Sequence, residues 1–387
     1  MIRRTLVLTA ALLLGASACV YPIPGPGEPV PDLDVGIDVD VAAATVTVSV
    51  QVTDHTTDFV RVWPDGFGAP AGPLDDAAPW QVTFAADELT AGDHTMTVVA
   101  VGGGTVVVDT ADYRVTACNG AVVLCTRPYD QVRNVTTHNA MSSAADGWFG
   151  PNQNDDVPVQ LASGVRALML DTYRAGDLTP AGNPQVPGVD PDTGYLCHTL
   201  CGLGSQPLVE GLAEITAFLD GNPGAVVTLI IESYLDHDLT AAAFVAAGLD
   251  TYVFTPLPGQ AWPSLGELVQ SGSRLVVMQD RAVDPTYPWL LDVWAQSFET
   301  HFDNAVPEDF SCDPNRGDPA NDLFILNHFL TQIFGSPALA EQVNHDPLLT
   351  DRIVECETTH TAVANFVTVD FADIGDVSTA VEALNGL

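Results

Sequence analysis

Residues 134–140 read N-V-T-T-H-N-A and residues 160–174 read Q-L-A-S-G-V-R-A-L-M-L-D-T-Y-R, with a polar loop between them. Each is a strand-like run closing on residues able to do chemistry: His138 and Asn139 in the first, Asp171 in the second. Three later runs end the same way. Y-L-C-H-T delivers His198, A-V-V-T-L-I-I-E-S delivers Glu232, and F-V-T-V-D-F delivers Asp370. Strand after strand with a reactive residue at its C-terminal end is how a (β/α) barrel of the TIM type assembles an active site. The sequence therefore predicts an α/β barrel over residues 118–387.

Between these runs lie segments of helical period: Gln206–Leu219, Leu239–Leu249, Ser264–Gln270 and Val377–Leu384. Asn222-Pro223-Gly224 stops the first of them. Further strands are predicted at Arg274–Gln279 and Leu323–Asn327. Strands alternating with helices over this length fit one parallel barrel of irregular outline, with an open doubly wound sheet as the alternative. No G-x-G-x-x-G follows a first strand, so a dinucleotide fold has no support.

Upstream, residues 32–117 are all β in character. V-A-A-A-T-V-T-V-S-V-Q-V-T, F-V-R-V-W and H-T-M-T-V-V-A-V alternate with period two, and turn-rich pieces separate them. Several short strands in one small module predict an immunoglobulin-like β-sandwich. His55 and His94 read as surface or turn residues, and Trp63 and Trp80 as core. The module has the character of a spacer or a weak binding domain.

Twelve basic residues, every one an arginine, face fifty acidic ones, for a formal net charge of −38 over 387 residues. Such a surface repels nucleic acid, whose phosphates need clustered Lys and Arg. It suits an exported protein or salty surroundings, and it follows equally from habitat alone. At the N-terminus Arg3 and Arg4 precede an apolar run from Leu6 to Leu14 and then G-A-S-A-C, the shape of a secretory signal over residues 1–18. It also has the shape of a lipoprotein signal, in which Cys19 becomes a lipidated first residue and residues 19–31, rich in Pro and Gly, form a tether from the membrane. Ala16 stands where such signals usually carry Leu, and Ala16-Ser17-Ala18 also serves as an ordinary cleavage site. The expected address is a cell-envelope lipoprotein (outer membrane, periplasm or cell surface), with plain secretion as the alternative. Setting Cys19 aside leaves six cysteines, an even number in an exported chain. Closeness in sequence favours Cys118–Cys125 and Cys197–Cys201, and elimination then leaves Cys312–Cys356. Their scattered spacing argues against a zinc site.

Two histidines at strand ends with carboxylates on neighbouring strands are the materials for phosphodiester cleavage. One imidazole takes a proton from the attacking hydroxyl and the other gives one to the leaving oxygen. Charge on phosphorus needs a cation, from a metal or an arginine. Asn139, Asp171 and Glu232 are hard oxygen donors of the kind that hold Ca²⁺ or Mg²⁺. Taken singly, each is more ordinarily a hydrogen-bonded structural residue. Five coincident strand ends argue for a site.

T-H-N-A, G-V-R-A-L-M-L-D, C-H-T, F-L-x-x-N-P-x-x-V-V-T-L-I-I-E, W-P-S-L-G-E-L-V and F-V-T-V-D-F, in that order, resemble the X domain of the phosphatidylinositol-specific phospholipase C family. The likeness runs from Cys118 to about Phe371 and is strongest to single-domain members of bacteria and plants. It implies an irregular TIM barrel. It implies that His138 is the histidine that acts at the inositol 2-hydroxyl and that His198 protonates the leaving glycerol oxygen. The products would then be a cyclic inositol phosphate and diacylglycerol. It further implies Ca²⁺ ligation by Asn139, Asp171 and Glu232, and orientation of His138 by Asp370. The chain departs from the pattern at Met169, where calcium-dependent relatives carry a carboxylate, and at Asp171, where metal-free relatives carry an arginine. Arg174 is out of phase with that position in a strand. Arg281, after R-L-V-V-M-Q-D, is the candidate for substrate binding beside the ring, or a plain surface arginine. The expected partners are a phospholipid or related phosphodiester and, through Cys19, a membrane. A glycerophosphodiesterase, a phospholipase D-like hydrolase, or a non-catalytic surface lipoprotein that binds lipid or glycan are the competing functions.

Overall fold

Alternation of Val with polar residues gives the N-terminal strands one apolar face to bury. In the computed structural model, residues 32–387 are described except 54–55, 68–71, 73, 104, 175–192, 199–200, 258 and 333. The signal segment, Cys19, the tether and His55 lie outside the described residues. The chain divides into two units, one reaching Ala117 and including Ala121–Thr126, the other comprising Cys118–Gly120 and Arg127–Leu387.

The first unit has six strands: β1 (Asp32–Asp40), β2 (Thr45–Thr53), β3 (Phe59–Phe67), β4 (Trp80–Ala85), β5 (Gly92–Gly102) and β6 (Thr105–Val115). They form two antiparallel three-stranded sheets, β1-β2-β4 and β3-β5-β6. Val46, Val48, Val62, Met96, Val98 and Ala100 close one core between them. Trp63 is buried and Trp80 packs against that core. His94 departs from the surface role expected of it. It is buried, with one ring nitrogen 2.7 Å from Asp65 Oδ1 and the other 2.6 Å from the carbonyl of Thr90. A period-two count already puts it on the inward face with Met96, Val98 and Ala100, and what the sequence could not show is its partner, Asp65 on β3.

The second unit begins with β7 (Asn134–Thr137), helix α1 (Val157–Ala162), β8 (Ala167–Arg174), β9 (Gly194–Leu196) and β10 (Gln206–Pro207). Next come α2 (Leu208–Gly221), β11 (Val227–Ser233), α3 (His237–Ala247), α4 (Leu265–Ser271), β12 (Leu275–Gln279), β13 (Leu290–Asp292), α5 (Val293–Gln296) and β14 (Ser297–Glu299). The chain closes with β15 (Leu323–Asn327), α6 (Pro337–Val343), α7 (Leu348–His360), β16 (Phe366–Val369) and α8 (Val377–Leu384). Eight strands lie side by side in the order β13-β12-β11-β8-β7-β16-β15-β14, every pairing parallel. The first strand thus pairs with the last, and the sheet stays open only between β13 and β14. This is a partial α/β barrel with one seam, and the doubly wound alternative is excluded by the β16–β7 pairing.

Local chemistry explains where elements differ from the sequence expectation. Helix α2 starts at Leu208 because Gln206 and Pro207 pair with Leu196 and Tyr195 as a short strand. Ser264 caps α4 in a capping box with Glu267, so it stands outside the helix. Arg274 precedes β12 and donates to the carbonyls of Leu219, Asn222 and Ala225 just past α2. Helix α7 shows no clean apolar stripe in sequence, because its buried face is Leu349, Arg352, Ile353 and Cys356, an arginine among them. Disulfides join Cys197 to Cys201 and Cys312 to Cys356, and Cys118 and Cys125 are disulfide-bonded as well. No helix among the described residues is long and apolar enough to cross a membrane.

His328, next after β15, is fully buried. One ring nitrogen donates to the carbonyl of Val343 at 2.8 Å, and the other accepts from Arg352 at 3.1 Å. Burial and the Arg352 charge hold it neutral, pushing its pKa down to about 3. A base whose pKa is depressed by folding lends stability above its unfolded value, near 6.5, and loses it as pH falls toward the folded value. Urea unfolding should therefore show the protein losing on the order of 3 kcal/mol between pH 7 and pH 4.5 through this residue. A His328→Gln variant should show a correspondingly flatter decline, and an equal decline in both proteins would refute the assignment.

Candidate active site

Parallel strands deliver their C-terminal residues to one end of a barrel. His138 follows β7 directly, and its backbone N–H donates to the carbonyl of Val369, the last residue of β16. The next residue on β16 is Asp370, whose Oδ1 lies 2.9 Å from His138 Nδ1. The carboxylate is almost wholly buried and the imidazole is about one-fifth exposed, so the ring opens toward the mouth while its partner does not. With Nδ1–H donating to Asp370, Nε2 is the nitrogen left to accept a hydrogen bond. Phe329 stacks on the ring at 4.0 Å between centroids and 11° between planes.

Asn139 has a left-handed backbone (φ 47°) and is buried. Its amide nitrogen stands 3.1 Å from His138 Nε2 and 3.5 Å from His198 Nε2. The two reactive nitrogens are therefore no farther apart than those two distances laid end to end, within reach of a single phosphate. Burial, and secondarily the neighbouring His138, holds the His198 pKa below the ordinary imidazole value; Asp370 and Glu232 oppose the shift.

His198 does not reach this point as the sequence led one to expect. Its strand, β9, is not a stave of the barrel but pairs antiparallel with the overhanging end of β8, Thr172–Arg174. The three-residue run is too short and too isolated to reveal its direction in sequence.

The second cluster is anionic. Asp171 ends the inner part of β8 and stands in register with Glu232 on β11. Asp171 is only 7 % exposed, and no described residue donates a hydrogen bond to its carboxylate. Burial, then repulsion from Glu232 and Asp280, raises its pKa well above the usual carboxylate range. Asp280, at the end of β12, is raised chiefly by burial. Glu232 accepts from the Tyr234 hydroxyl, and Tyr234 stacks on Tyr173 at 4.3 Å. Among the described residues no three His, Cys, Asp or Glu side chains are grouped as a ready metal cage. The donors on hand are the two carboxylates Asp171 and Glu232 and the amide of Asn139, with Met169 contributing none. A buried carboxylate with no donor among the described residues and two like charges beside it has the chemistry of a ligand to a hard dication.

Arg281 donates through Nε to the carbonyl of Ser233, beside Glu232 and Asp280. It thus stands on the anionic side. Arg174 pairs with Asp236 at the N-cap of α3.

Several participants were not singled out from sequence. Asp280 closes the run R-L-V-V-M-Q-D with the same signature as the other five and was legible there. Asn152 and Gln153 lie in a polar loop that reads as solvated. Asn152 Nδ2 donates to Asp370 Oδ1 at 3.1 Å. Gln153 Nε2 donates to the carbonyls of His138 (2.9 Å) and Val369 (3.1 Å), stitching β7 to β16 beneath the pair. Gly335 passes so close that a Cβ there would collide with Asp370 Oδ2 and Asn152 Nδ2.

Residues 124–385 match the family model PI-PLC X 1, and the chain belongs to the PI-PLC X domain family. It is 30% identical over 286 residues to a PI-PLC X domain-containing protein of Arabidopsis thaliana, covering 67% of this chain and 63% of that one. It is 30% identical over 293 residues to PI-PLC X domain-containing protein 1 of Arthroderma benhamiae, covering 70% and 90% respectively. A protein of the same fungus named an uncharacterized secreted protein is 27% identical over 290 residues, 68% of this chain and 62% of that one. The chain thus spans less than two thirds of the plant relative's length. Among solved structures, a β-glucuronidase of Ruminococcus gnavus aligns with 88% of this chain and 53% of its own at 11% identity and a TM-score of 0.24, too low to bear on fold or function.

The His138–Asp370 pair should give a slowly exchanging, downfield imidazole N–H resonance at neutral pH. Asp370→Ala should abolish it and Gly335→Ala should shift it. If the signal survives Asp370→Ala unchanged, the pairing does not exist in solution.

Proposed function

We propose that the protein is an exported phosphodiesterase of the phospholipase C type, cleaving a phospholipid or related phosphodiester by two-histidine acid–base catalysis. One observation carries this: two imidazole nitrogens from distant parts of the chain converge on one amide nitrogen, with a buried carboxylate behind one of them. In this reading His138, held by Asp370 with Nε2 unprotonated, takes the proton from the substrate's attacking hydroxyl. As that oxygen bonds to phosphorus, the bond to the leaving oxygen breaks, and His198 supplies the proton the leaving group needs. When the substrate's own inositol 2-hydroxyl attacks, the products are a cyclic phosphate and diacylglycerol. Asn139, Asp171 and Glu232 would hold Ca²⁺, which supplies positive charge opposite the phosphate oxygens. Arg281 is positioned to meet a polar headgroup from the carboxylate side.

Export is supported by the disulfides and by the relative named a secreted protein. Lipidation of Cys19, with a tether over residues 19–31, is proposed as the route to a membrane surface. The two small antiparallel sheets of the first unit are proposed to be an immunoglobulin-like spacer.

The test is turnover of labelled phosphatidylinositol vesicles by the full chain, first with calcium and then with chelator. His138→Ala and His198→Ala should each lower kcat by about 10²- to 10⁴-fold, the usual scale of one proton-transfer group. Wild-type rates in both variants would end the proposal, and glycerol phosphate or free headgroup as product would redirect it to the other hydrolase classes. Because the general acid must be protonated and its pKa is lowered, kcat/KM should fall on the alkaline side at a pH below 6.5. Protons compete with the metal for Asp171, so calcium binding measured by calorimetry should weaken on acidification at a higher pH than for an ordinary carboxylate.

A further inference from the structure

The two histidines are held by unlike means. His138 has a buried carboxylate on one nitrogen, an aromatic ring stacked on its face and a backbone N–H bonded to the neighbouring strand. The His198 ring has, among the described residues, a single polar contact, the Asn139 amide nitrogen at 3.5 Å. Among the described residues no carboxylate is hydrogen-bonded to it. Nor does a barrel strand carry it, since β9 is a three-residue antiparallel addition to β8. What does confine it is covalent: Cys197 immediately precedes it, and Cys201, four residues after Cys197, is bonded back to Cys197. Both sulfurs are buried, and Tyr195, Cys197 and Cys201 form a small apolar cluster against Trp148 and Tyr173, apart from the main core. Trp148 in turn is pressed against Gly204, where a Cβ would collide with its ring. The N–H of Cys197 donates to the carbonyl of Asp171 at 3.2 Å, tying the loop to the strand that bears the anionic cluster.

We infer that the Cys197–Cys201 disulfide is the positioning device for His198, confining by a covalent loop the ring that Asp370 and Phe329 confine for His138. Closing so small a loop removes the backbone freedom that would otherwise let the ring leave the point it shares with His138. The inference rests on the proposed two-histidine chemistry for its consequence, but not for its geometry.

The variants Cys197→Ser/Cys201→Ser and Cys197→Ala/Cys201→Ala test it, with Cys312→Ser/Cys356→Ser as the control, each checked for an unchanged backbone amide spectrum outside residues 194–204. Two measurements are made on the full chain. The first is the nuclear Overhauser contact between the Asn139 side-chain amide and the His198 ring, expected in the wild type and control and lost in both loop variants. The second is turnover of phosphatidylinositol vesicles, where kcat should fall on the order of 100-fold in the loop variants. KM should stay within about threefold, because a group acting on the leaving oxygen affects the reaction step more than ground-state binding. If the contact persists in the loop variants, the inference is overturned whatever happens to turnover. If the contact is lost yet kcat is unchanged, the disulfide does place the ring, and it is the proposed two-histidine chemistry that is overturned. If the wild type turns nothing over, the proposed function fails, and the contact measurement still decides whether the disulfide places the ring.

Discussion

The hydrogen bond between His138 Nδ1 and Asp370 Oδ1 joins the first barrel strand to the last. Most of what surrounds the candidate site follows from making that bond possible. It requires β7 and β16 to lie side by side, which they do in register from Asn134↔Phe366 to Thr137↔Val369. It requires both chains to leave their strands at the same height, and Gln153 secures this by donating to both departing carbonyls. It also requires a carboxylate to lie buried with one oxygen, Oδ2, unpartnered among the described residues, a cost tolerated where orientation of a neighbour matters. At the other end of the same seam, Asn365 accepts from Phe324 N–H and donates to the carbonyls of Asp130 and Val132, locking β15, β16 and the entry to β7 together.

On the side of β7 away from β16 the barrel collects negative charge. Asp171, Glu232 and Asp280 come from three adjacent strands and repel one another. Within a chain of net charge −38 such a cluster is costly unless something positive meets it. Met169 adds no oxygen donor there, and the buried amide of Asn139 stands against both histidines. Asn139 lies two residues past β7, next to the strand that carries Asp171. This residue is held in a left-handed backbone conformation that asparagine tolerates better than most residues.

The two units differ in what their sequences disclose. The first is legible as strands because alternation is a local property, and its Val-rich inner faces alternate cleanly. Even so, the placement of His94 against Asp65 depended on pairing between strands far apart in the chain. In the second unit the strands bearing His138, Asp171, Glu232 and Asp370 were legible from their endings. Helix α7 was not, because Arg352 occupies its buried face and meets backbone carbonyls, a histidine and the Phe310 ring instead of solvent.

By itself the sequence determined that His138, Asp171, Glu232 and Asp370 lie at the ends of strands, hence the kinds of polar group those strands offer at the barrel mouth. A strand's period and the residue that terminates it are covalently local, so no folding information is needed to read them. The tertiary structure alone decided that His198 arrives from outside the barrel on an antiparallel hairpin. It alone decided that Asn152 and Gly335 enclose Asp370, and that two imidazoles share one amide nitrogen. Those contacts join residues with no common local pattern, such as Asn152 and Asp370, 218 positions apart. They come into being only when parallel strands close and carry their ends to one place.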